Sequence, residues 1–169
     1  MIIDTHCHAG LHKYEPIQSL LYHMKEANVE KAVLIQHGGE FDNSYHVECQ
    51  NKFPGCFASA MLVHPNEGSD SIRKWADKGI VGIRLGASSR ALTSNPLEHW
   101  SSANQLDLVV SALGSPETFL SQEFSEVLQL YPNLHLEIQN DNYYPLFLQS
   151  LLENFYINQC FYIHYIIWI

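Results

Sequence analysis

Short runs of apolar and β-branched residues recur along this chain at intervals of about 23 to 30 residues, separated by longer amphipathic stretches. The runs lie at 2–5, 32–35, 57–63, 80–85, 108–113 and 134–138, and a seventh is centred near 162. Runs that are apolar at consecutive positions are typical of strands buried on both faces, as in parallel sheets. Each interval leaves room for one helix, so the pattern predicts a series of βα units.

A series of βα units forms either a doubly wound open sheet or a (β/α)8 barrel. No glycine-rich phosphate loop follows any of the runs, which leaves the nucleotide-binding version of the open sheet without support. His6 and His8 lie at the end of the first run, and the active sites of barrels lie at the carboxyl ends of their strands. We therefore expect an α/β chain of the (β/α)8 TIM-barrel type.

The length limits how much of a barrel the chain can form. Its 169 residues are enough for about six to seven βα units, so the barrel is expected to be incomplete at its C-terminus. We expect residues 1–159 to form a partial barrel domain and residues 160–169 to form an atypical hydrophobic tail. The tail is half as long as the roughly 20 apolar residues of a membrane span. The sequence predicts a barrel cut short by truncation, a frameshift or a gene-model error.

Charge and cysteine content exclude several classes of partner. The chain has 9 basic and 18 acidic residues and a net charge of −9, whereas a protein that binds nucleic acid needs a basic surface. Its four cysteines form no C-x-x-C pair and are interpreted as free thiols in a reducing compartment. Without a signal-peptide pattern, we expect a cytoplasmic protein with a small-molecule substrate and neither nucleic acid nor membrane as a partner. The oligomeric state stays open.

Asp4, His6 and His8 form a D-x-H-x-H motif in the first run. Side chains at i, i+2 and i+4 of a regular strand project from one face, at steps of roughly 7 Å. Two imidazoles placed in this way can hold one metal ion or converge on one substrate oxygen, with the aspartate behind them. Two roles stay open for Asp4, as a hydrogen-bond partner of the site or as a structural residue at the start of the strand. Cys7 is expected to face away from the histidines.

Several motifs resemble the amidohydrolase-related (amidohydrolase 2) family of metal-dependent, barrel-fold hydrolases, in its lactonase-like branch. These are the D-x-H-x-H motif, the run Lys31 to Gln36, the run Gly82 to Leu85, and Tyr131 to Leu134 before the sixth strand. The resemblance covers residues 1 to about 155, approximately the first two thirds of such a barrel. It implies a hydrolase that acts on a lactone or small carboxylate-bearing substrate through a metal- or histidine-activated water.

The resemblance also implies roles for single residues. His6 and His8 match the first-strand histidines that bind a metal in this family, or contact substrate in members that work without one. The expected cofactor is therefore a divalent metal, zinc or manganese, or none. Arg84 matches the arginine that binds substrate, and a guanidinium at the barrel mouth can hold a carboxylate or lactone oxygen through two hydrogen bonds. Asn140 falls where the family usually has a sixth-strand histidine, and we assign Asn140 and Asp4 as candidate catalytic residues.

Two more histidines follow predicted strands. His37 follows the second strand and His64 the third, where each can line the mouth or add a ligand, and we assign both to substrate binding with Arg84. The eighth-strand aspartate that the family uses as metal ligand or general base has no counterpart in the chain. Removal of a general base typically lowers activity by on the order of 10²- to 10⁴-fold, so we expect weak activity or none.

Two other functions stay open. The first is a truncated, non-catalytic barrel fragment that pairs its open edges with a partner. The second is a TatD-like metal-dependent deoxyribonuclease, because members of that family also begin with a D-T-H-C-H run and Val63-His64-Pro65 resembles their third strand. That family has a metal-binding glutamate near the end of the fourth strand, where this chain has Arg84.

Overall fold

The computed structural model describes residues 1–139 and 161–163, which form one parallel sheet with helices between its strands. The strands are β1 (Ile3–Cys7), β2 (Lys31–Ile35), β3 (Phe57–Met61), β4 (Gly82–Gly86), β5 (Val109–Leu113), β6 (His135–Gln139) and β7 (Phe161–Ile163). The helices are α1 (Ile17–Glu26), α2 (Ser44–Lys52), α3 (Ser69–Ala76), α4 (Glu98–Gln105), α5 (Pro116–Phe119) and α6 (Gln122–Leu130). Neighbours in the sheet follow chain order from β1 to β7, and each pair is parallel.

This curled half-barrel with alternating helices is an incomplete TIM barrel, as the spacing of the apolar runs predicts. Each predicted run overlaps a strand, including the run near residue 162, where residues 161–163 pair with β6. Asn140 and, within the predicted tail, residues 160 and 164–169 lie outside the described residues. Among the helices of residues 1–139, none has both the length and the apolar character that crossing a bilayer requires.

Two clusters of buried apolar side chains fill the space between the outer face of the sheet and the helices. The larger cluster joins β3 to β6 with α3, α4 and α6, and Trp100, Phe119 and Phe124 are its largest buried members. Trp100 and Phe119 both meet Phe124 edge-on, with ring centroids 6.0 Å and 5.3 Å away. The smaller cluster covers β1 and β2 and includes Cys7 and Leu34. The inner face of the sheet carries polar residues such as Ser111 and Glu137 together with apolar ones such as Val33 and Ile35.

An irregularity in β1 decides which way its residues face. Between Asp4 and Cys7, β1 has two residues where β2 has only Val33. Such a β-bulge lets both Thr5 and His6 face the interior of the half-barrel. Cys7 packs outside the sheet, as expected, and its thiol donates a hydrogen bond to the carbonyl of Val33 at 3.2 Å. Because of the bulge, the side chains of Asp4 and His6 point to opposite faces of the sheet.

β4 lies unusually close to both of its neighbours at Gly82. A Cβ at this position would be 2.9 Å from the Val109 carbonyl oxygen and 3.1 Å from the Cβ of Ala60. Distances this short force the backbone to move, because the interior is already close-packed. Glycine thus allows β3, β4 and β5 to pack together two residues before Arg84.

Candidate functional site

His6 and His8 lie together on the inner side of the sheet, at the carboxyl end of β1. Their ring centroids are 4.9 Å apart, and the ring planes are nearly perpendicular at 87°. The Nδ1 atom of His8 is 2.7 Å from the carbonyl oxygen of Ile35. Because a carbonyl oxygen can only accept, Nδ1 carries the proton of the neutral ring and Nε2 has the lone pair.

The surroundings of His8 favour its neutral form. Burial lowers the pKa of His8 to about 4, against the opposing effect of its hydrogen bond to Ile35. His6, Arg84 and His37 lower this pKa further, since each is close enough to make an added positive charge unfavourable. His8 is therefore an uncharged imidazole at pH 7.

Tyr14 covers His8 from the loop between β1 and α1. Its ring stacks on the imidazole with centroids 4.5 Å apart and planes 23° from parallel. The same ring lies 5.3 Å from that of half-buried His37, so both residues line the mouth beside His8. The sequence analysis missed Tyr14, although an aromatic residue in the loop after the first barrel strand has the right position for a mouth residue.

Two side chains of β6 reach His6 from across the half-barrel. The Oε1 atom of Glu137 is 3.6 Å from Nδ1 of His6, and the two side chains are only 7 % and 6 % exposed. The amide of Gln139 contacts the same Nδ1 and donates a hydrogen bond to Oγ of Ser111 at 2.6 Å. The sequence analysis missed all three residues and assigned Asn140, which lies outside the described residues, to this position. The alternation of β6, which gives Glu137 and Gln139 one face, was the available signal.

Arg84 faces the same interior. The strand register pairs Arg84 with Ser111 and Ser111 with Glu137, so these side chains lie in one row across three strands. The Nη1 atom of Arg84 donates a hydrogen bond to the Gln36 carbonyl at 2.9 Å. This contact holds the guanidinium next to the end of β2, where His8 also contacts the Ile35 carbonyl.

Arg84 and Arg90 line one pocket of about 290 Å³ near the carboxyl ends of β3, β4 and β5. The turn after β4 positions Arg90, since the hydroxyl of Ser89 accepts from the Gly86 N–H at 2.9 Å and the Ser89 carbonyl accepts from Nη1 of Arg90 at 2.9 Å. Buried Trp100 donates to the same carbonyl at 3.1 Å. Arg90, which the sequence analysis did not identify, adds a second cation to the pocket, and paired guanidiniums suit carboxylates.

Asp4 and His64 make their described contacts elsewhere. The Asp4 carboxylate accepts a hydrogen bond from the backbone N–H of His6 at 2.9 Å, which is the structural one of its two expected roles and follows from the bulge in β1. His64 is exposed, and its Nδ1 accepts from the Asn66 N–H at 3.2 Å. Its ring meets Phe41 edge-on at 4.8 Å. These contacts fix His64 within the loop after β3.

The donors in the described part of the chain do not complete a catalytic metal site. Within residues 1–139 and 161–163, no three His, Cys, Asp or Glu side chains are grouped so that they could hold a metal ion. His6 and His8 supply two imidazoles, whereas a catalytic zinc has three protein ligands and a water. The side chains of β6 also occupy the surroundings of Nδ1 of His6.

The sequence matches no protein-family model and no curated protein, but the structure matches solved ones. A probable 2-pyrone-4,6-dicarboxylic acid hydrolase from Acinetobacter baumannii has a TM-score of 0.72 at 19 % identity, over 96 % of this chain and 68 % of that one. A protein of the same description from Pseudomonas putida has a TM-score of 0.61 at 17 % identity, over 80 % and 55 %. A TatD homologue from Escherichia coli has a TM-score of 0.58 at 13 % identity, over 90 % and 64 %.

Structural matches at identities this low show that the fold is shared, but they do not show that the activity is shared. The chain spans about two thirds of the first of these proteins and about half of the second. The matched structures include TIM-barrel proteins of the amidohydrolase type, and this chain shares their barrel fold.

Proposed function

We propose that this chain contributes histidine and arginine residues to the active site of a hydrolase. The hydrolase would open a lactone or act on another small carboxylate-bearing substrate. The observation that carries the proposal is the convergence of His6, His8 and Arg84 on the inner face of the sheet. Barrel enzymes place their reacting groups at this end of the strands. The matched Acinetobacter baumannii protein, whose structure contains citric acid, supports an anionic substrate.

His8 is suited to bind and orient the attacking water. Its Nε2 lone pair can accept a hydrogen bond from water, because Nδ1 donates to Ile35. With a pKa of about 4, the ring is a weak base, so it positions water better than it removes a proton. Attack of this water on the lactone carbonyl breaks the ring C–O bond and yields a hydroxy acid.

Arg84 and Arg90 are suited to hold the substrate. A guanidinium binds a carboxylate through two charge-assisted hydrogen bonds, and both arginines line the pocket near the carboxyl ends of β3, β4 and β5. On a chain with a net charge of −9, such a pocket is a local region of opposite sign that attracts anions. Arg84 can also stabilise the negative charge that develops on the carbonyl oxygen.

The test is hydrolysis of dicarboxylate lactones by the purified chain, without metal and with zinc or manganese added. We expect turnover that is lost when His6→Ala and His8→Ala are combined and kept when exposed His23 is replaced by alanine. Unchanged turnover in the double variant would remove the proposal.

The two alternative functions can be tested on the same purified chain, with DNA as an additional substrate. A folded protein without lactone hydrolysis under any of these conditions would favour the non-catalytic fragment. Metal-dependent cleavage of DNA would favour the TatD-like nuclease, although the two guanidiniums of Arg84 and Arg90 in one pocket are better suited to a carboxylate than to metal binding.

A further inference from the structure

Glu137 is a buried acid that the proposed reaction does not use. The residue is 5 % exposed, and its Oε1 atom has no hydrogen-bond partner among the described residues. It borders a cavity of about 190 Å³ on the inner face of the sheet, which Val33, Ile35 and Val109 also line. Because an unpaired carboxylate is unfavourable in apolar surroundings, Oε1 needs a donor close by.

Nδ1 of His6 can be this donor, and it lies 3.6 Å from Oε1. This separation is slightly longer than a hydrogen bond, and a small rotation of the Glu137 side chain closes it. His6 comes from β1 and Glu137 from β6, so the contact joins strands from opposite sides of the half-barrel. Both side chains are almost fully buried, which shields the contact from water.

Gln139 competes for the same ring atom. An amide N–H that donates to Nδ1 needs a lone pair there, whereas Glu137 needs a proton there. The amide nitrogen of Gln139 already has Oγ of Ser111 as an acceptor at 2.6 Å, while Oε1 of Glu137 has no donor among the described residues. An amide that turns its oxygen to the ring would also accept from Nδ1–H. A proton on Nδ1 of His6 therefore satisfies more of these groups.

We propose that Glu137 is a positioning residue for His6, whose carboxylate accepts a hydrogen bond from Nδ1–H and thereby fixes the ring tautomer. Nε2 of His6 then has the lone pair, and the amide nitrogen of Gln139 lies 3.4 Å from it. His8 has the same arrangement, because its Nδ1 donates to Ile35. Both imidazoles would present Nε2 to one substrate. A role of this arrangement in catalysis rests on the proposed function, whereas the tautomer of His6 does not depend on it.

The tautomer can be measured without any turnover, by ¹⁵N NMR of the imidazole side chains at about pH 8, where an imidazole of ordinary pKa is neutral. We expect a protonated Nδ1 and an unprotonated Nε2 for His6 in the wild-type chain. Glu137→Leu should move the proton to Nε2, because the Gln139 amide then donates to Nδ1. Glu137→Gln keeps an acceptor oxygen and a similar volume, so it should keep the wild-type tautomer. Unchanged His8 signals would show that the site is still folded.

A wild-type His6 protonated on Nε2, or a tautomer that Glu137→Leu leaves unchanged, would overturn the proposal. Should Glu137→Leu fail to fold, the wild-type and Glu137→Gln spectra decide.

In lactone hydrolysis we expect Glu137→Leu to lower kcat by about 10- to 100-fold, as loss of an orienting partner typically does, with KM nearly unchanged. A wild-type kcat in that variant would end the positioning role. If the wild-type chain has no turnover, the proposed function fails and NMR still decides the tautomer.

Discussion

His8 and Arg84 are both held by carbonyl groups of consecutive residues at the end of β2. The imidazole donates to Ile35 and the guanidinium to Gln36. Main-chain acceptors are present whatever side chain these positions carry. The separation of the two groups is therefore set by the β2 backbone, which places a neutral ring and a permanent cation at one strand end.

Replacement of Arg84 by glutamine should weaken substrate binding more than it slows the reaction. Loss of a charge-assisted hydrogen bond typically removes about 1.5 to 3 kcal/mol, so KM for a dicarboxylate lactone should rise by about 10- to 100-fold. Steady-state kinetics would measure this change, with citrate inhibition as a second readout. The control is Arg73→Gln, since Arg73 is an exposed arginine of α3. An equal effect of both substitutions would contradict a specific carboxylate contact.

His46 should make the stability of the protein depend on pH. It is 1 % exposed, its Nε2 donates to the Ala9 carbonyl at 3.3 Å, and its Nδ1 has no partner among the described residues. Burial lowers the pKa of His46 to about 4, whereas an unfolded imidazole takes up its proton near 6.5. Between these values the unfolded state binds more protons, so the free energy of unfolding falls as the pH is lowered from 6.5 to 4, by about 3 kcal/mol.

Urea denaturation across this pH range would measure the effect. His46→Gln should reduce the dependence on pH while lowering stability at neutral pH, and exposed His23→Gln should leave the dependence as it is. His8 acts in the same direction, so part of the dependence should persist in the His46 variant. A His46 variant with the full wild-type dependence would show that this ring does not link folding to protons.

The sequence was sufficient to predict that His6, His8 and Arg84 lie near strand ends, because each belongs to a short motif within a predicted strand. It was not sufficient for Glu137 and Gln139, whose contacts with His6 depend on strand register and sheet curvature. A shift of one residue turns a strand side chain to the other face of the sheet, so Asn140 and Gln139 differ in the face that a regular strand would give them.

At the level of secondary structure, the strands were predictable because each overlaps a short run rich in apolar residues that recurs at a regular spacing. The residues at which the strands begin and end were less predictable. The run at 80–85 begins before β4, since Ile80 is 1 % exposed and belongs to the core although the strand starts at Gly82. The bulge in β1 was not predictable, because Thr5 and His6 fit a regular strand equally well. The expected placement of Asp4 behind the imidazoles failed for this reason.

Gly82→Ala should destabilise the protein by about 1 to 3 kcal/mol, as overpacking typically does. The added Cβ would meet the Val109 carbonyl at 2.9 Å, and backbone on that side has little freedom to move. The free energy of unfolding in urea would measure the loss. Gly38→Ala is the matched control, because a Cβ at Gly38 meets nothing within 4 Å. Equal stability of the two variants would contradict the close packing of β4.

At the scale of the whole molecule, the described sheet ends at β1, which pairs with β2 on one side. Ile2 and Ile3 are 54 % and 44 % exposed at this end of the sheet. Where the described residues provide no further strand beside β1, an edge with apolar side chains is a site where sheets from separate molecules can pair.

We expect the chain to self-associate as its concentration rises. Ile3→Lys should weaken this association by about tenfold, or 1.4 kcal/mol, because a charged edge disfavours pairing. Sedimentation velocity over a range of concentrations would measure it. Leu92→Lys is the control, since Leu92 is 72 % exposed in the loop between β4 and α4. A chain that stays monomeric at all concentrations would contradict the expectation.

Because β1 has an extra residue opposite Val33, one residue can be deleted there without changing the pairing of the rest of the strand. Deleting Thr5 would leave a regular ladder in which His6 keeps its direction and Cys7 keeps its partner Leu34. Deleting Cys7 would instead bring the imidazole of His8 into the core between sheet and helices. A shorter natural or engineered form of this strand can therefore retain its paired rings, provided that the residue lost is the threonine.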